Sequence, residues 1–508
     1  MESEGAERSR ALNRKARYVL AVDQSTQGTK GLLFDEKGEL VFRADKSHRQ
    51  LVNEKGWVSH DPEEILENTL EVAEWVLKGA GISGENLCAL GISNQRETSL
   101  AWNRESGKPL CPAVVWQCAR AEAICETHRK EAETIRKKTG LPLSPYFPAA
   151  KLQWIMETAP EAAKLADEGK LALGTMDSWL LYALSEERVL KTDYSNASRT
   201  QLFNIHTLDW DTELLKIFRI PRQALPKVCM SDAVFGTTKL GGLLKQAIPI
   251  CGVLGDSHGA LFGQDCRKSG QLKATYGTGS SVMMNTGDQP VCSAGGLATS
   301  LAWGLQGLVS YVLEGNLNYT GAVISWMKEK AGLIDCPEES GKLAAEADPE
   351  DRTYFVPAFT GLGAPYWDPK ATGMFTGITR ITGKKELVKA GLESIGYQVT
   401  DLVKLMEEES GKAIRELRVD GGPTGNQYLM QFQADLSQKT VSLPEIQELS
   451  GFGAACVAGL SAGLYREEEL FAGKKRKTYH PGMETSLQKT KYEGWKQAVR
   501  QTLLHGEA

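Results

Sequence analysis

Each half of the chain contains one copy of the same pattern, which is a strand, a small glycine-containing turn and a second strand. The first copy is AVDQSTQGTKGLLF at 21–34, and the second is ATYGTGSSVMMN at 274–285. The flanking runs are typical of β-strands, and the glycines allow tight turns. A shared hairpin indicates two related halves that divide near residue 250, with chance similarity of two hairpins as the alternative.

The composition is that of an ordinary soluble globular protein. The 508 residues are 41% hydrophobic and 24% charged, which predicts two large domains or a few smaller ones. The net charge of −5 argues against a nucleic-acid partner. No apolar run reaches the roughly 18 residues of a membrane span, and the polar segment 1–17 lacks the apolar core of a signal peptide. We therefore expect a cytoplasmic protein without a membrane partner, preceded by a disordered tail over residues 1–16.

Ten cysteines are scattered along the chain without a C-x-x-C pair. Zinc and redox motifs are therefore not expected, and the thiols should be reduced.

Strand and helix patterns alternate along the chain. Strands are predicted over 18–22, 30–34 and 40–44, followed by a helix with Asp61 as its N-cap and Pro62 at its first position. The run LRVDGG at 417–422 predicts a later strand. The run of small residues at 451–464 predicts a closely packed buried helix. This alternation predicts a doubly wound or mixed α/β fold.

An isolated carboxylate follows an apolar run in the middle of the chain. The sequence ICGVLGDSHGALFGQ at 250–264 places Asp256 between a predicted strand and a predicted helix. A carboxylate at a strand end can take a proton from a hydroxyl, and the Gly-Thr-Gly turn that follows can approach a phosphate closely. Together they suggest phosphoryl transfer. The alternative is an aspartate that caps the following helix.

Several segments together resemble the FGGY family of carbohydrate kinases, and most closely its members that phosphorylate glycerol. They include AVDQSTQGTKGLLFD, GISNQRETSLAW, TDYSNASRTQLFNIHTLDWD, GDSHGALFGQ and TYGTGSSVMMNTG, and they run in family order across nearly the whole of 17–465. The resemblance implies ATP-dependent phosphorylation of a primary hydroxyl of glycerol or a related polyol. ATP and Mg²⁺ would be the cofactors, and the partner would be a small-molecule polyol or sugar.

The fold implied by the resemblance is the actin-like ATPase fold, which is ribonuclease H-like. It has two α/β domains, each around a mixed five-stranded sheet, hinged about a cleft. We expect an N-terminal domain over 17–250 that binds the acceptor and part of the phosphates. A C-terminal domain over 251–508 would hold the nucleotide and Asp256. The family also implies a homodimer or homotetramer.

The resemblance also implies a role for each residue of the site. Asp256 matches the general base, and Asp23 matches the carboxylate associated with Mg²⁺, although it could simply anchor its own hairpin. The acceptor would contact Arg96, Glu97, Trp116, Tyr146, Asp256, Ser257 and Ser281. The nucleotide and its phosphates would contact Ser25, Thr26, Gln27, Lys30, Thr278, Gly279, Gly321, Ser325, Gly422 and Asn426.

Simpler structural explanations compete with the acceptor assignments. A guanidinium and a carboxylate can hold a diol by opposite polarities, but Arg96 and Glu97 could instead form a surface salt bridge. Trp116 could be a core residue, as most tryptophans are. His258 could reach the acceptor pocket or have only a structural role.

Two serines depart from the pattern of the glycerol-phosphorylating members. Ser257 stands where they have Gln, and Ser281 stands where they have Phe. Both changes remove volume, so we hypothesise an acceptor larger than glycerol, for example a tetritol, a pentitol or a ketose. At the phosphates, Lys30 replaces an Arg and loses its bidentate fork. A non-catalytic nucleotide-binding protein of the same fold is the remaining alternative.

Overall fold

Two mixed β-sheets organise the chain, of which the computed structural model describes residues 16–504. The predicted disordered tail lies outside the described residues, except for Ala16. No helix in this described range is long and apolar enough to cross a membrane.

The first half of the chain contains the strands of the first large sheet and of several smaller sheets. Its strands are β1 (Tyr18–Gln24), β2 (Gly28–Phe34), β3 (Leu40–Ser47), β4 (Leu51–Val52), β5 (Val58–His60), β6 (Leu87–Asn94), β7 (Ser99–Asn103), β8 (Ala113–Val114), β9 (Leu171–Thr175), β10 (Lys191–Asp193), β11 (Phe203–Asn204), β12 (Asp209–Trp210), β13 (Lys227–Cys229), β14 (Gly236–Thr238) and β15 (Ile248–Gly255). Its helices are α1 (Pro62–Ala80), α2 (Glu122–Thr127), α3 (Ala132–Thr139), α4 (Pro148–Thr158), α5 (Ala162–Asp167), α6 (Met176–Leu184), α7 (Tyr194–Ala197), α8 (Thr212–Ile217) and α9 (Asp256–Gly263).

The second half follows the same plan. Its strands are β16 (Leu272–Tyr276), β17 (Ser280–Gly287), β18 (Ala298–Leu305), β19 (Leu308–Leu317), β20 (Tyr354–Val356), β21 (Met374–Thr376), β22 (Glu416–Asp420), β23 (Thr440–Pro444) and β24 (Arg476–Tyr479). Its helices are α10 (Gly321–Glu329), α11 (Glu339–Ala345), α12 (Lys384–Ser410), α13 (Gln427–Ser437), α14 (Leu449–Ser461), α15 (Glu467–Leu470) and α16 (Thr485–Leu504).

The two large sheets share one strand order. The first runs β3-β2-β1-β6-β15-β14, and the second runs β18-β19-β17-β16-β22-β23-β24. The five strands β3-β2-β1-β6-β15 of the first sheet correspond to β19-β17-β16-β22-β23 of the second. In each sheet the predicted hairpin and one further strand are antiparallel, and two later strands add in parallel on the other side. The repeated hairpin therefore belongs to two sheets of the same topology. Five strands per sheet describes this shared core only, because antiparallel strands extend the edges.

Local signals account for the elements around β1. Every residue of β1 is buried, as expected of a strand covered on both faces. Helix α1 begins as predicted, because the Asp61 side chain accepts hydrogen bonds from the backbone of Glu63 and Glu64, and it ends at Gly81 with φ of 64°. Its Ile65 packs into the core beneath the sheet.

Helix α14 covers the opposite face of the first sheet at very short range. A Cβ on Gly91 of β6 would lie 2.7 Å from the Ala454 carbonyl oxygen, and a Cβ on Gly252 of β15 would lie 2.4 Å from the Ala458 nitrogen. Only small residues on helix and sheet permit this approach. The run of small residues that predicted a buried helix thus packs on a sheet formed by the other half of the sequence.

Strand β15 pairs in parallel with β6 in the first sheet, so a boundary at residue 250 would cut through it. We propose that the boundary lies in the link between α9 and β16, at 264–271. Asp256 then belongs to the first domain, at the start of its last helix.

Candidate active site

Asp256 stands where the buried strand β15 ends and α9 begins. Its Oδ1 lies 3.2 Å from Nε of Arg96 and accepts the backbone N–H of Ser257 at 2.6 Å. Within residues 16–504 its Oδ2 has no hydrogen-bond partner, and the side chain is 33% exposed. Gly255 is the N-cap of the helix and Asp256 is its first residue, so Asp256 does not fill the capping role. One carboxylate oxygen is held and the other is open.

Arg96 and Glu97 follow β6 and are both buried, at 6% and 2% exposure, so they do not form a surface salt bridge. They also do not pair with each other. Arg96 makes a bidentate pair with Glu314 at 2.9 and 2.8 Å, and Glu97 accepts from Nε of Arg199 at 2.6 Å. Arg199 reaches Glu314 as well, at 2.8 Å, so the four side chains form one continuous ionic network.

Glu314 is the centre of this network and comes from β19 of the second sheet. Burial by itself would raise the pKa of Glu314, but the guanidiniums of Arg199 and Arg96 hold that pKa well below its usual value. The Ser281 hydroxyl donates to Oε1 of Glu314 at 3.1 Å. The second sheet therefore supplies the carboxylate that orients Arg96 on the first.

Trp116 and Tyr146 form a partly exposed aromatic wall. Their ring centroids are 5.4 Å apart, and the Trp116 indole N–H donates to the Thr26 hydroxyl at 2.9 Å. Trp116 is half-buried, so it is not a core residue. The buried ammonium of Lys151 donates to the carbonyl oxygen of Tyr146, which fixes the backbone on that side.

Asp23 lies at the end of β1, opposite Lys30 of β2 and Ser93 of β6. The Ser93 hydroxyl donates to its Oδ1 at 2.8 Å, and Oδ2 has no hydrogen-bond partner in the described residues. Burial raises the pKa of Asp23 to about 6, although Lys30 and Ser93 oppose the shift. A buried carboxylate in this state is a site where a cation would be favoured.

The first of the two hairpins that are expected to bind phosphate is formed, but the ammonium group of its Lys30 is paired with a carboxylate. Ser25 closes the turn with its backbone N–H on the Gly28 carbonyl at 2.8 Å, and Gln27 at the tip is exposed. The Lys30 ammonium lies 2.5 Å from Glu448, a residue just before α14. The predicted phosphate donor is therefore paired with a carboxylate from the other half of the chain.

The second hairpin is braced by the start of α10. The Gly321 N–H donates to the Gly277 carbonyl at 2.9 Å, and the Thr278 carbonyl accepts from Thr320 at 3.0 Å. A Cβ on Gly321 would lie 2.5 Å from the Gly277 oxygen, so only glycine fits there. The open turn of Thr278 and Gly279 thus has a fixed position.

The other predicted nucleotide residues lie on α10 and just before α13. A Cβ on Gly422 would meet nothing within 4 Å, so the space beside it is open. Asn426 is the N-cap of α13 and accepts from the Leu429 N–H at 3.1 Å. Ser325 is exposed on α10, and its hydroxyl makes no hydrogen bond in the described part of the chain.

Comparison with known proteins identifies the family of this site. The N-terminal domain of the FGGY family of carbohydrate kinases matches residues 18–263, and the C-terminal domain of that family matches residues 272–462. The chain belongs to the FGGY family. It is an ATP-dependent carbohydrate kinase of the actin-like ATPase fold. The two matched ranges leave unmatched the same link, 264–271, that we propose as the boundary.

Curated relatives and a solved structure are similar over nearly the whole chain. Glycerol kinase 1 of Thermotoga maritima is 47% identical over 96% of this chain and 99% of its own length. Glycerol kinase of Caldanaerobacter subterraneus is 42% identical over 97% of this chain and 100% of its own length. The crystal structure of Plasmodium falciparum glycerol kinase with ADP superposes with a TM-score of 0.90 at 33% identity, covering 96% and 98% of the two chains.

A more distant family member shows the fold alone. Ligand-bound xylulose kinase from Lactobacillus acidophilus superposes with a TM-score of 0.83 at 23% identity, covering 94% of this chain and 96% of that one.

Arg199 and Glu314 were not predicted as site residues, although the sequence around each of them contains an indication. Arg199 lies within TDYSNASRT, a segment of family resemblance to which no role was assigned. Glu314 is one acidic residue inside the run YVLEGNL of a buried strand. Since a charged residue in a buried strand needs a partner, this position predicts an ion pair, but its partners lie too far away in sequence to be named.

Proposed function

We propose that this kinase transfers the γ-phosphoryl group of ATP to a primary hydroxyl of glycerol or a related polyol, with Asp256 as general base. The state of Asp256 carries the proposal, because Oδ1 is held by Arg96 while Oδ2 has no hydrogen-bond partner among the residues that the structure describes. An oriented carboxylate with one free oxygen can accept the proton of the attacking hydroxyl. The relatives named glycerol kinase support glycerol as the acceptor.

The remaining residues would bind and position the two substrates. Arg96 would donate to acceptor hydroxyls and Glu97 would accept from them, while Trp116 and Tyr146 cover the carbon chain. The two hairpins would bind the phosphates through backbone N–H groups. Closure of the domains would exclude water and align the hydroxyl with the phosphorus, which is where most of the rate enhancement of phosphoryl transfer arises.

Mg²⁺ would associate with Asp23. Oδ2 of this carboxylate has no hydrogen-bond partner in the described residues, and it suits a hard cation. Burial raises the pKa of Asp23 to about 6, and a bound positive charge would oppose that shift. Residues 16–504 contain no cluster of three or more His, Cys, Asp or Glu that could hold a metal ion. A cation that is completed by phosphate oxygens and water needs no such cluster. When bound, Mg²⁺ would neutralise charge on the phosphates.

A larger polyol or a ketose is the second candidate acceptor. Ser257 and Ser281 replace two bulkier residues of the glycerol-phosphorylating members, and both serines are partly exposed beside Asp256 and Glu314. Acceptors of four or five carbons could use the added space. Restoring Gln at 257 and Phe at 281 should shift the preference toward glycerol.

ADP production measured by a coupled assay tests both candidates. The panel contains glycerol, erythritol, pentitols, dihydroxyacetone and pentuloses, with Mg²⁺ present. Asp256→Asn should lower kcat by roughly 100-fold or more. The matched control Asp61→Asn exchanges the same groups at a helix cap that Asn also fills, so it should remain active.

Each result of the panel has a distinct meaning. If glycerol is turned over, Ser257 and Ser281 are variation that the glycerol site tolerates. If only longer acceptors are turned over, the two serines determine the specificity. If no acceptor of the panel stimulates ADP release, the proposed acceptor class fails. The predicted cytoplasmic location and homodimer or homotetramer stay predictions, and light scattering tests the assembly.

A further inference from the structure

We propose that Ser281 acts toward the substrate only as a hydrogen-bond acceptor, so the substrate must present a hydroxyl, and not a carbonyl, at the carbon that faces it. This inference rests on the proposed function, because it places the phosphoryl acceptor beside Arg96 and Asp256. Ser281 would then select polyols over analogues that have no hydroxyl proton at the carbon facing it.

Glu314 is buried among the groups that it binds. Its Oε1 accepts from Nη2 of Arg96 at 2.8 Å and from the Ser281 hydroxyl at 3.1 Å. Its Oε2 accepts from Nη1 of Arg96 at 2.9 Å and lies 2.8 Å from Nη1 of Arg199. An ionised carboxylate offers about four lone-pair positions. Hydrogen bonds fill three of these positions, and Nη1 of Arg199 lies against Oε2 as an ion pair without hydrogen-bond geometry. The Glu314 side chain is also fully buried, so it does not reach a substrate and serves as a positioning residue.

The charge of Glu314 then sets the polarity of Ser281. A carboxylate held between two guanidiniums carries no proton and can only accept. The single hydroxyl proton of Ser281 must therefore point at Glu314. What Ser281 offers on its partly exposed side is the lone-pair side of its oxygen.

Ser281 also lies close enough to the reacting group to matter. Glu314 contacts Arg96, and Arg96 contacts Asp256 at 3.2 Å, so two side chains separate Ser281 from the proposed base. Both Ser281 and Asp256 are partly exposed. The proposal therefore places the reacting hydroxyl of the acceptor at Asp256 and its other carbons along Arg96 toward Ser281.

The test compares polyols in which one non-reacting hydroxyl at a time is replaced by fluorine, which cannot donate. Carbonyl analogues, dihydroxyacetone and erythrulose, cover carbon 2. We expect one position at which fluorine lowers kcat/KM of the unmodified enzyme about tenfold, the effect of one neutral hydrogen bond. In Ser281→Ala this penalty should vanish, and in Ser281→Thr, which keeps the hydroxyl, it should return.

Two further variants separate the direction of the Ser281 hydroxyl from a general loss of activity. Glu314→Gln places a donor beside Ser281 and lets its hydroxyl turn outward, so the fluorine penalty should shrink even if overall activity falls. Ser394→Ala removes a buried hydroxyl that bonds only to its own helix, and it should keep the penalty.

The outcomes distinguish the two proposals. If no polyol is turned over by the unmodified enzyme, the proposed function fails and this inference fails with it. If polyols are turned over but every fluorine penalty is the same in Ser281→Ala, only the role of Ser281 is overturned. Because each penalty is a ratio measured within one variant, a loss of stability or of active protein does not imitate the expected result.

Discussion

Replacing Asp23 by Asn should make the protein more stable at neutral pH while removing its activity. Burial raises the pKa of Asp23 from 3.8 in a free side chain to about 6, and Asp256 and Glu448 contribute in the same direction. Folding therefore forces a charge into a place that disfavours it. Asn keeps the shape and still accepts the Ser93 hydroxyl, but it carries no charge.

The size of the effect follows from the pKa shift. Because the folded-state pKa lies above the unfolded-state value, the stability that protonated Asp23 contributes is fully present below pH 3.8 and is lost as the pH rises through about 6. A shift of about 2 units corresponds to about 3 kcal/mol. Asn at this position should thus raise the free energy of unfolding by about 3 kcal/mol at pH 8 and by about half of that at pH 5.

Urea unfolding of both proteins without nucleotide at pH 5 and pH 8 measures this difference. Comparing variant with unmodified protein at each pH cancels the titration of groups that do not interact with residue 23. Asp177→Asn is a matched control, because burial raises the pKa of Asp177 to about 7 and its partners are Thr175 and Thr192. Both variants should be stabilised at pH 8, but only Asp23→Asn should lose Mg²⁺-dependent phosphoryl transfer.

Two results would refute this reasoning. An equal gain in stability at pH 5 and pH 8 would mean that Asp23 does not titrate between them. Full activity of Asp23→Asn at ordinary Mg²⁺ concentrations would mean that this carboxylate has no part in binding the cation.

Three other substitutions test separate parts of the site. Arg199→Met leaves Glu97 buried without its cation and should lower the free energy of unfolding by about 3–5 kcal/mol, and a change below about 1 kcal/mol would show that the network is dispensable. Gly321→Ala places a Cβ 2.5 Å from the hairpin oxygen and should raise KM for ATP roughly tenfold, whereas an effect on the polyol KM alone would contradict its placement. Burial and then Arg96 hold the pKa of His258 well below 6.5, so the stability that depends on neutral His258 is present above pH 6.5 and is lost as the pH falls. Melting temperatures of His258→Gln should therefore fall less between pH 7 and pH 5 than those of the unmodified protein, and equal slopes would argue against this.

Local chemistry made several elements predictable. The meander at the start of the chain, the cap at Asp61 and the strand that leads to Asp256 are all found, because strand periodicity, turns and caps depend on residues close in sequence. The resemblance to one family added the identity of the site residues. The site itself was less predictable, since Arg96 and Glu97 are adjacent in sequence but bind different partners.

The class of fold, the repeated hairpin and the carboxylate at the strand end can be read from residues that are close together in the sequence. The pairing of the buried charges depends on the packing of distant segments. Glu97 finds Arg199 at a separation of 102 residues, Arg96 finds Glu314 at 218, and Lys30 finds Glu448 at 418. These pairs form when the second sheet and α14 pack against the first. No local pattern encodes that docking, because a buried charge requires a partner without specifying where in the chain the partner lies.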